Sequence, residues 1–578
     1  MNKRKLTIAL LITLLALSGC RTKKPSDSSI SDPSESESIK TSESIPSNET
    51  PSEDVSSSTD SSNPSEESSS TGNLISPDDS NSDENTAPIV PPIDNDKIDP
   101  DDLNTKEELK GEVTKQGAVN IISSSGLNEA AYIAFDQVNK ITQYNYYIQG
   151  ENYSEMTLLD DKVAYTRKLS SSQYRVDFTG LKPGNYTIKI DPITDENATP
   201  TEVSLTVDSY DRSGYAHFNY TEGVGAYKDD GTLKDNAIVI YVTDENKNTV
   251  MDEIEEIQSS MFSIPNLNIK ASGIGWWLNN TQYSKAESNT YTANGSKLGF
   301  DSLNDIHPIV IRIVGKVTAP DGLTVYDSTE QGGSTGDNGG MARMKNLKNV
   351  TIEGIGEDAI VEGWGFHFIN TDTTGNRGKS FEVRNLTFTK YPEDAVGMEG
   401  VQEGGKLVSS VERCWIHHIT FLPGYCANPA ESDKAEGDGS CDFKRGQYYT
   451  MSYCYYEYCH KTNLLGASDD NLQFNVSFHH NIWYNCASRI PLTRKANVHF
   501  YNNYVYGDIN DKTAALSYVH SIRGDAYIFS EGNYYEGCKG IIQDGEGDAK
   551  LYNNEYVACF NKTSIDGFIT NERTKKSF

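Results

Sequence analysis

Three things are scarce in this 578-residue chain: long amphipathic helical runs, basic charge, and apolar stretches long enough to span a bilayer. The first scarcity, beside 34 Tyr and 46 Gly, excludes a helical bundle and favours a β-rich protein. The second leaves 51 basic against 83 acidic residues, a formal charge of −32. Nucleic acid is therefore an unsuitable partner, and an acidic ligand would need a local cationic patch or a bound metal. The third scarcity leaves one apolar run, Leu6 to Leu17, behind Lys3, Arg4 and Lys5. It is too short for a comfortable transmembrane helix and reads as an export signal. Histidines and cysteines at zinc-like spacing are missing as well. The chain is too long for one compact domain.

At the end of the apolar run, Leu17-Ser18-Gly19-Cys20 resembles the lipobox of bacterial lipoproteins. The resemblance implies cleavage after residue 19, lipidation of Cys20 and a cell-surface, extracellular protein that touches the membrane only through that anchor. Residues 21–110 hold 7 basic and 22 acidic residues among Ser and Pro, with almost no aromatics. Such a segment cannot bury a core and reads as a disordered tether with a mean reach of about 50 Å. From 111 to 208, short runs alternate apolar and polar (AYIAFDQV, YNYYIQG, YRVDFTG, YTIKIDPI), the pattern of a small β-sandwich. The stretch from Tyr174 to Tyr186 resembles the tyrosine corner of fibronectin type III modules. A spacer role is expected there, in preference to a module that keeps the protein close to carbohydrate.

Residues 209–578 have a third character. A buried-strand run, Ala237 to Val242, precedes an expected helix, MDEIEEIQSSM. From Pro308 onward short strands recur, each followed by a turn residue: Asn385, His418, Cys454, Asn481, Asn503, Asn533 and Asn554 in the later ones. The spacing has a floor near 21–22 with variable excess, as expected of stacked coils of fixed size with loops inserted on some turns. A parallel β-solenoid behaves this way, and Asn at one bend can build a hydrogen-bonded ladder.

Within this region lie Asp394-Ala395-Val396, Trp415-Ile416-His417-His418, Asp438-x-x-x-Asp442, His460-Lys461 followed by TNLLG, Phe478-His479-His480-Asn481, and Arg489-x-Pro491-x-x-Arg494. In this order and spacing, residues 223–560 resemble a polysaccharide lyase family 1 pectate lyase. The resemblance implies an all-β fold, a right-handed parallel β-helix behind the fibronectin-like sandwich. It also implies calcium-dependent β-elimination of α-1,4-linked polygalacturonate, the pectate of pectin, giving 4,5-unsaturated oligogalacturonides. On this reading Asp394, Asp438 and Asp442 are Ca²⁺ ligands, and Lys461 and Arg494 pair with the acid groups of the substrate. Arg489 is the base that takes the C5 proton. An arginine is no base in water, so clustered positive charge and partial burial must push its pKa down. A monomer is expected.

Two departures stand out. His417 occupies a position where the family often has Asp, and Leu492 one where it often has a third arginine. The Leu492 change puts substrate length and methylation preference in question. Eight cysteines lie between Cys414 and Cys559. Cys426 with Cys441, and Cys459 with Cys486, could form disulfides, or the thiols could stack in the core. His479 and His480 are read as structural. Two other functions stay open: a non-catalytic pectin-binding β-helix and a metal-independent pectin lyase.

Overall fold

The computed structural model describes residues 119–138, 141–193, 199–253, 273–280, 304, 307–323, 340–424, 439–508, 516, 518–543 and 547–559. Cys20, Cys426 and Asp438 lie outside these, as do residues 254–261 of the expected helix. At its start, the described residues form a 3₁₀ turn, Val250–Glu253. Among the described residues no helix is long and apolar enough to cross a membrane.

Alternation of apolar and polar side chains drives the first unit. Strands β1 (Ile121–Leu127), β2 (Ala130–Asp136), β3 (Tyr144–Gly150), β4 (Tyr153–Leu158), β5 (Ala164–Ser170), β6 (Gln173–Thr179), β7 (Gly184–Pro192) and β8 (Thr201–Val207) follow one another. They form two antiparallel sheets in the orders β1-β2-β6-β5 and β4-β3-β7-β8. Phe135, Ile148, Val176, Phe178, Ile188 and Ile190 fill the space between them and are fully buried. The Tyr186 hydroxyl donates to the Lys182 carbonyl at 2.7 Å, closing the corner before β7.

The rest is a coil of parallel strands, a parallel β-helix. Each turn contributes to three ladders. One has eight short strands: Met341–Lys345, Gly365–Ile369, Asp394–Glu399, Gly439–Lys444, Asn463–Leu465, Leu492–Arg494, His520–Arg523 and Ile542–Gln543. A second runs from Ile238–Val242 through Val411–His417 and Gln473–His479 to Asp548–Tyr552. The third, reaching Glu555–Val557, begins where Ile309–Thr318 and Lys348–Glu362 run straight through the bend and serve both ladders. Inward side chains stack like on like: Phe388, Phe421, Tyr456 and Trp483 lie nearly parallel, with centroids 4.5–5.7 Å apart from coil to coil.

The Asn ladder forms. Asn481 donates its backbone N–H and its Nδ2 to Asn503 Oδ1, at 2.9 and 3.0 Å, and Asn503 and Asn533 repeat the pattern onto the next coil. The alignment of turns needs one correction. Arg384, His417, Ser452 and His479 are in register, so the positions equivalent to Cys454 and Asn481 are Leu386 and Ile419. Asn385 and His418 sit one residue earlier, where φ is positive (56° and 53°), a conformation Asn and His tolerate better than β-branched residues.

Cys414, Cys441, Cys454, Cys459, Cys486 and Cys538 are buried free thiols. The core-thiol alternative therefore holds for Cys459 and Cys486, and Cys441 closes no loop. Burial pushes the Cys414 and Cys441 thiols well above their ordinary pKa, which keeps them neutral.

Candidate active site

The eight-stranded ladder places the predicted acids together. Asp394 begins one strand, and Asp442 lies in the next coil opposite Gly397. Both carboxylates are almost fully buried, at 4% and 2% exposure. They converge over Gly439: a Cβ there would come within 2.5 Å of Asp394 Oδ1 and 2.9 Å of Asp442 Oδ1. The missing side chain thus leaves a small cradle walled by two oxygens of separate carboxylates. A hard divalent cation such as Ca²⁺ takes this donor type, so the residues fit the expected metal.

Because strand side chains alternate, Lys444 shares a face with Asp442. Its ammonium lies 3.5 Å from Asp442 Oδ2 and 3.6 Å from Asp394 Oδ2. Burial would lower the Lys444 pKa, but Asp394, Asp442, Glu399 and Glu393 outweigh it and raise the pKa above the ordinary lysine value. Lys444 was missed in the sequence, although the period-two rule places it beside Asp442. Glu399 faces Lys444 from the preceding coil. The His367 ring, with Nε2 3.4 Å from Glu399 Oε2, pulls the Glu399 carboxyl down to about 2 with help from Arg445 and Lys444.

The same outward row continues past Lys444 and Gly466 to Arg494, which is in register with Arg523 on the following coil. Arg494 Nε donates to Asp469 Oδ1 at 2.9 Å and its Nη1 to the Gly466 carbonyl at 2.7 Å, while Arg523 Nη2 donates to Asp469 Oδ2 at 3.0 Å. Burial and the neighbouring Arg523 and Arg489 hold the Arg494 pKa below its ordinary value, with Asp469 working against them. Arg523 was also missed; its only sequence signal is the coil period.

Arg489 and Lys461 occupy the turns that lead into this ladder. Lys461 is 4% exposed and bridges in register to Ser488, and its carbonyl accepts from Ser440 N at 3.0 Å. Arg489 is half-buried, with φ +65°, and its carbonyl accepts from Thr462 Oγ1 at 2.5 Å and Asn463 N at 2.8 Å. Among the described residues no ion pair engages its guanidinium. The peptide bond Ile490–Pro491 after it is cis.

The two departures have different meanings. Leu492 is opposite Leu464 and Ser521 on the outward row that begins at Asp442, so two neighbouring positions of this row are leucine and carry no cation. His417 is not on the site ladder. It is buried on the second ladder, stacked on Trp415 at 3.6 Å between ring centroids, with Nε2 3.1 Å from Glu382 Oε1. A polar cleft of about 450 Å³ lined by Lys348, Arg377 and Lys379 contains none of the predicted site residues.

Residues 327–571 match the family model described as pectate lyase. Pectate lyase E of Dickeya dadantii is 27% identical over 248 residues, covering 40% of this chain and 58% of that protein. A pectate lyase of Bacillus subtilis is 31% identical over 198 residues, covering 32% and 47%. The chain thus spans about half the length of these curated relatives. Among solved structures, a pectate lyase from Bacillus sp. N165 in complex with trigalacturonate aligns over 61% of this chain and 89% of that one, with 19% identity and a TM-score of 0.37. Pectate lyase II from Xanthomonas campestris aligns over 60% and 83%, with 20% identity and a TM-score of 0.38. The fold assignment rests on the strand pairing described above. Over residues 327–571 the chain is thus similar to pectate lyases.

Proposed function

We propose that this protein cleaves α-1,4-linked polygalacturonate by β-elimination, with Ca²⁺ as cofactor, outside the cell. The observation that carries the reading is the buried Asp394–Asp442 pair converging over Gly439, on one face with Lys444, Arg494 and Arg523. Asp394 and Asp442 would hold the metal, with Asp438 as a third ligand. When bound, Ca²⁺ supplies positive charge against the uronate carboxylate.

The chain's own residues do the rest. Lys461 and Arg494 pair with acid groups of the polymer and fix one uronide across the ladder. The C5 proton lies α to a carboxylate, and Arg489, arriving from the turn beside it, accepts that proton. The C5–H electron pair becomes the C4=C5 double bond, the C4–O bond breaks, and the leaving oxygen takes a proton from water. Cationic neighbours stabilise the enolate as it forms, the largest contribution expected in such a step. Asp469 keeps Arg494 aimed, and Arg523 adds a cation on the next coil.

Lys444 favours one second reading, a metal-independent lyase, because its ammonium already neutralises the acid pair. We further propose attachment through a lipid on Cys20, residues 21–110 as the tether, and the sandwich as a fibronectin type III-like spacer. The sheet orders and the Tyr186 corner support the last of these.

The test is ultraviolet absorbance of the unsaturated product when the protein meets polygalacturonate, with Ca²⁺ and with chelator. Absorbance growth only with Ca²⁺ is expected. Growth indifferent to chelator moves the reading to the Lys444-neutralised lyase. Binding without product leaves a pectin-capturing protein and overturns the enzyme.

A further inference from the structure

Residues 209–227 form no strand but run as a strap along the outer face of the second ladder. Tyr215 N donates to Ser477 Oγ at 3.0 Å, Ala216 N to Thr450 Oγ1 at 2.8 Å and Ala226 N to Thr351 Oγ1 at 2.8 Å. The strap carries Asp211 to the bend that holds His479 and His480. One ring nitrogen from each histidine and one carboxylate oxygen of Asp211 all lie within 4.8 Å of one another. No third ligand stands near His479 in sequence; the fold brings one from far upstream.

The hydrogen bonds around the three residues are those of a prepared outer shell. His479 Nε2 lies 3.0 Å from the Ser213 carbonyl, which can only accept, so Nε2 carries the proton and Nδ1 keeps its lone pair. A ligating histidine usually donates its second nitrogen to such a carbonyl. His479 Nδ1 is 3.0 Å from His480 Nδ1. The carboxylate of Asp211 is fixed as well, with Oδ1 accepting from Ser213 N at 2.9 Å and Oδ2 from the Tyr453 hydroxyl at 3.0 Å. In a tetrahedral site with bonds near 2.0–2.2 Å, ligand atoms stand about 3.3 Å apart, so the three close in on the ion from separations of at most 4.8 Å.

We propose that Asp211, His479 and His480 form a binding site for a borderline divalent transition-metal ion of the Zn²⁺ class, with water in the fourth position. Two imidazoles and one carboxylate select such an ion over Ca²⁺, which prefers an all-oxygen set. His480 moves its proton from Nδ1 to Nε2 as the metal takes its place, so the ring stays neutral. The ion clips the strap to the coil. The site is on a different ladder from Asp394 and Asp442 and does not depend on the proposed lyase activity.

The test titrates the metal-stripped full chain with Co²⁺, then displaces it with Zn²⁺. Wild type is expected to show the visible bands of four-coordinate Co²⁺ and to melt at a higher temperature with Zn²⁺. In His480→Gln and Asp211→Asn affinity is expected to fall about 100-fold or more, and in Asp442→Asn to be unchanged. His480 is half-buried, so His480→Gln decides the matter should Asp211→Asn fold poorly. Absence of the four-coordinate spectrum in wild type overturns the proposal. So does its persistence in His480→Gln, or its loss in Asp442→Asn alone.

Discussion

Arg489→Lys is expected to lower kcat by about 10²- to 10⁴-fold, the usual contribution of a positioned proton acceptor. Polymer affinity should change far less, because Lys461, Arg494 and Arg523 keep their places. The position is demanding: Arg489 has φ +65°, and its carbonyl is held by Thr462 and Asn463 from the neighbouring coil. Lysine remains a basic side chain and accepts the same backbone, so a folded variant isolates the contribution of the guanidine nitrogen at that place. Single-turnover cleavage separates chemistry from binding. A kcat within about three-fold of wild type would remove Arg489 from the proton transfer, since acid–base roles are worth far more.

Arg384→Met is expected to cost about 3–5 kcal/mol of stability, the usual penalty for breaking a buried charge network from one side. Arg384 is 2% exposed, and its guanidinium meets Glu353 at 2.7 Å and Glu382 at 3.1 Å and covers the Tyr227 ring at 4.1 Å. Burial alone would raise the Glu353 pKa, but Arg384 and Arg312 hold it down to about 2, so Glu353 stays charged. Without Arg384 that carboxylate keeps only part of its compensation. By comparison, the exposed pair Lys228–Asp235 is worth at most about 1 kcal/mol. Urea denaturation of the variant reads the difference. A loss under about 1 kcal/mol would mean that the strap and sandwich relax around the gap.

These two residues illustrate what the sequence reveals and what it hides. The coil is legible because the repeat is physical: one turn length, one bend, one Asn ladder through Asn481, Asn503, Asn533 and Asn554. Asp394 and Asp442 carry no local signal, and only the order of motifs around them points to a shared site. Lys444 could have been found from strand alternation, since positions two apart share a face. Arg384 and Glu353 could not. Charged residues on a strand normally face water, and nothing in the sequence says that residues 209–227 and the sandwich cover this ladder. His417 has the same cause: it reads as a departure at the site, yet it serves the buried junction with Tyr210 and Trp415.

The most direct test of the carboxylate cradle compares the Ca²⁺ dependence of cleavage in wild type and Gly439→Ala. The substitution removes no ligand; it only puts a Cβ 2.5 Å from Asp394 Oδ1 and 2.9 Å from Asp442 Oδ1. The Ca²⁺ concentration for half-maximal rate should rise about 10-fold or more, with much of the rate recovered at saturation. Equal Ca²⁺ dependence in the two proteins, or wild-type cleavage untouched by chelator, would contradict a cation held over Gly439.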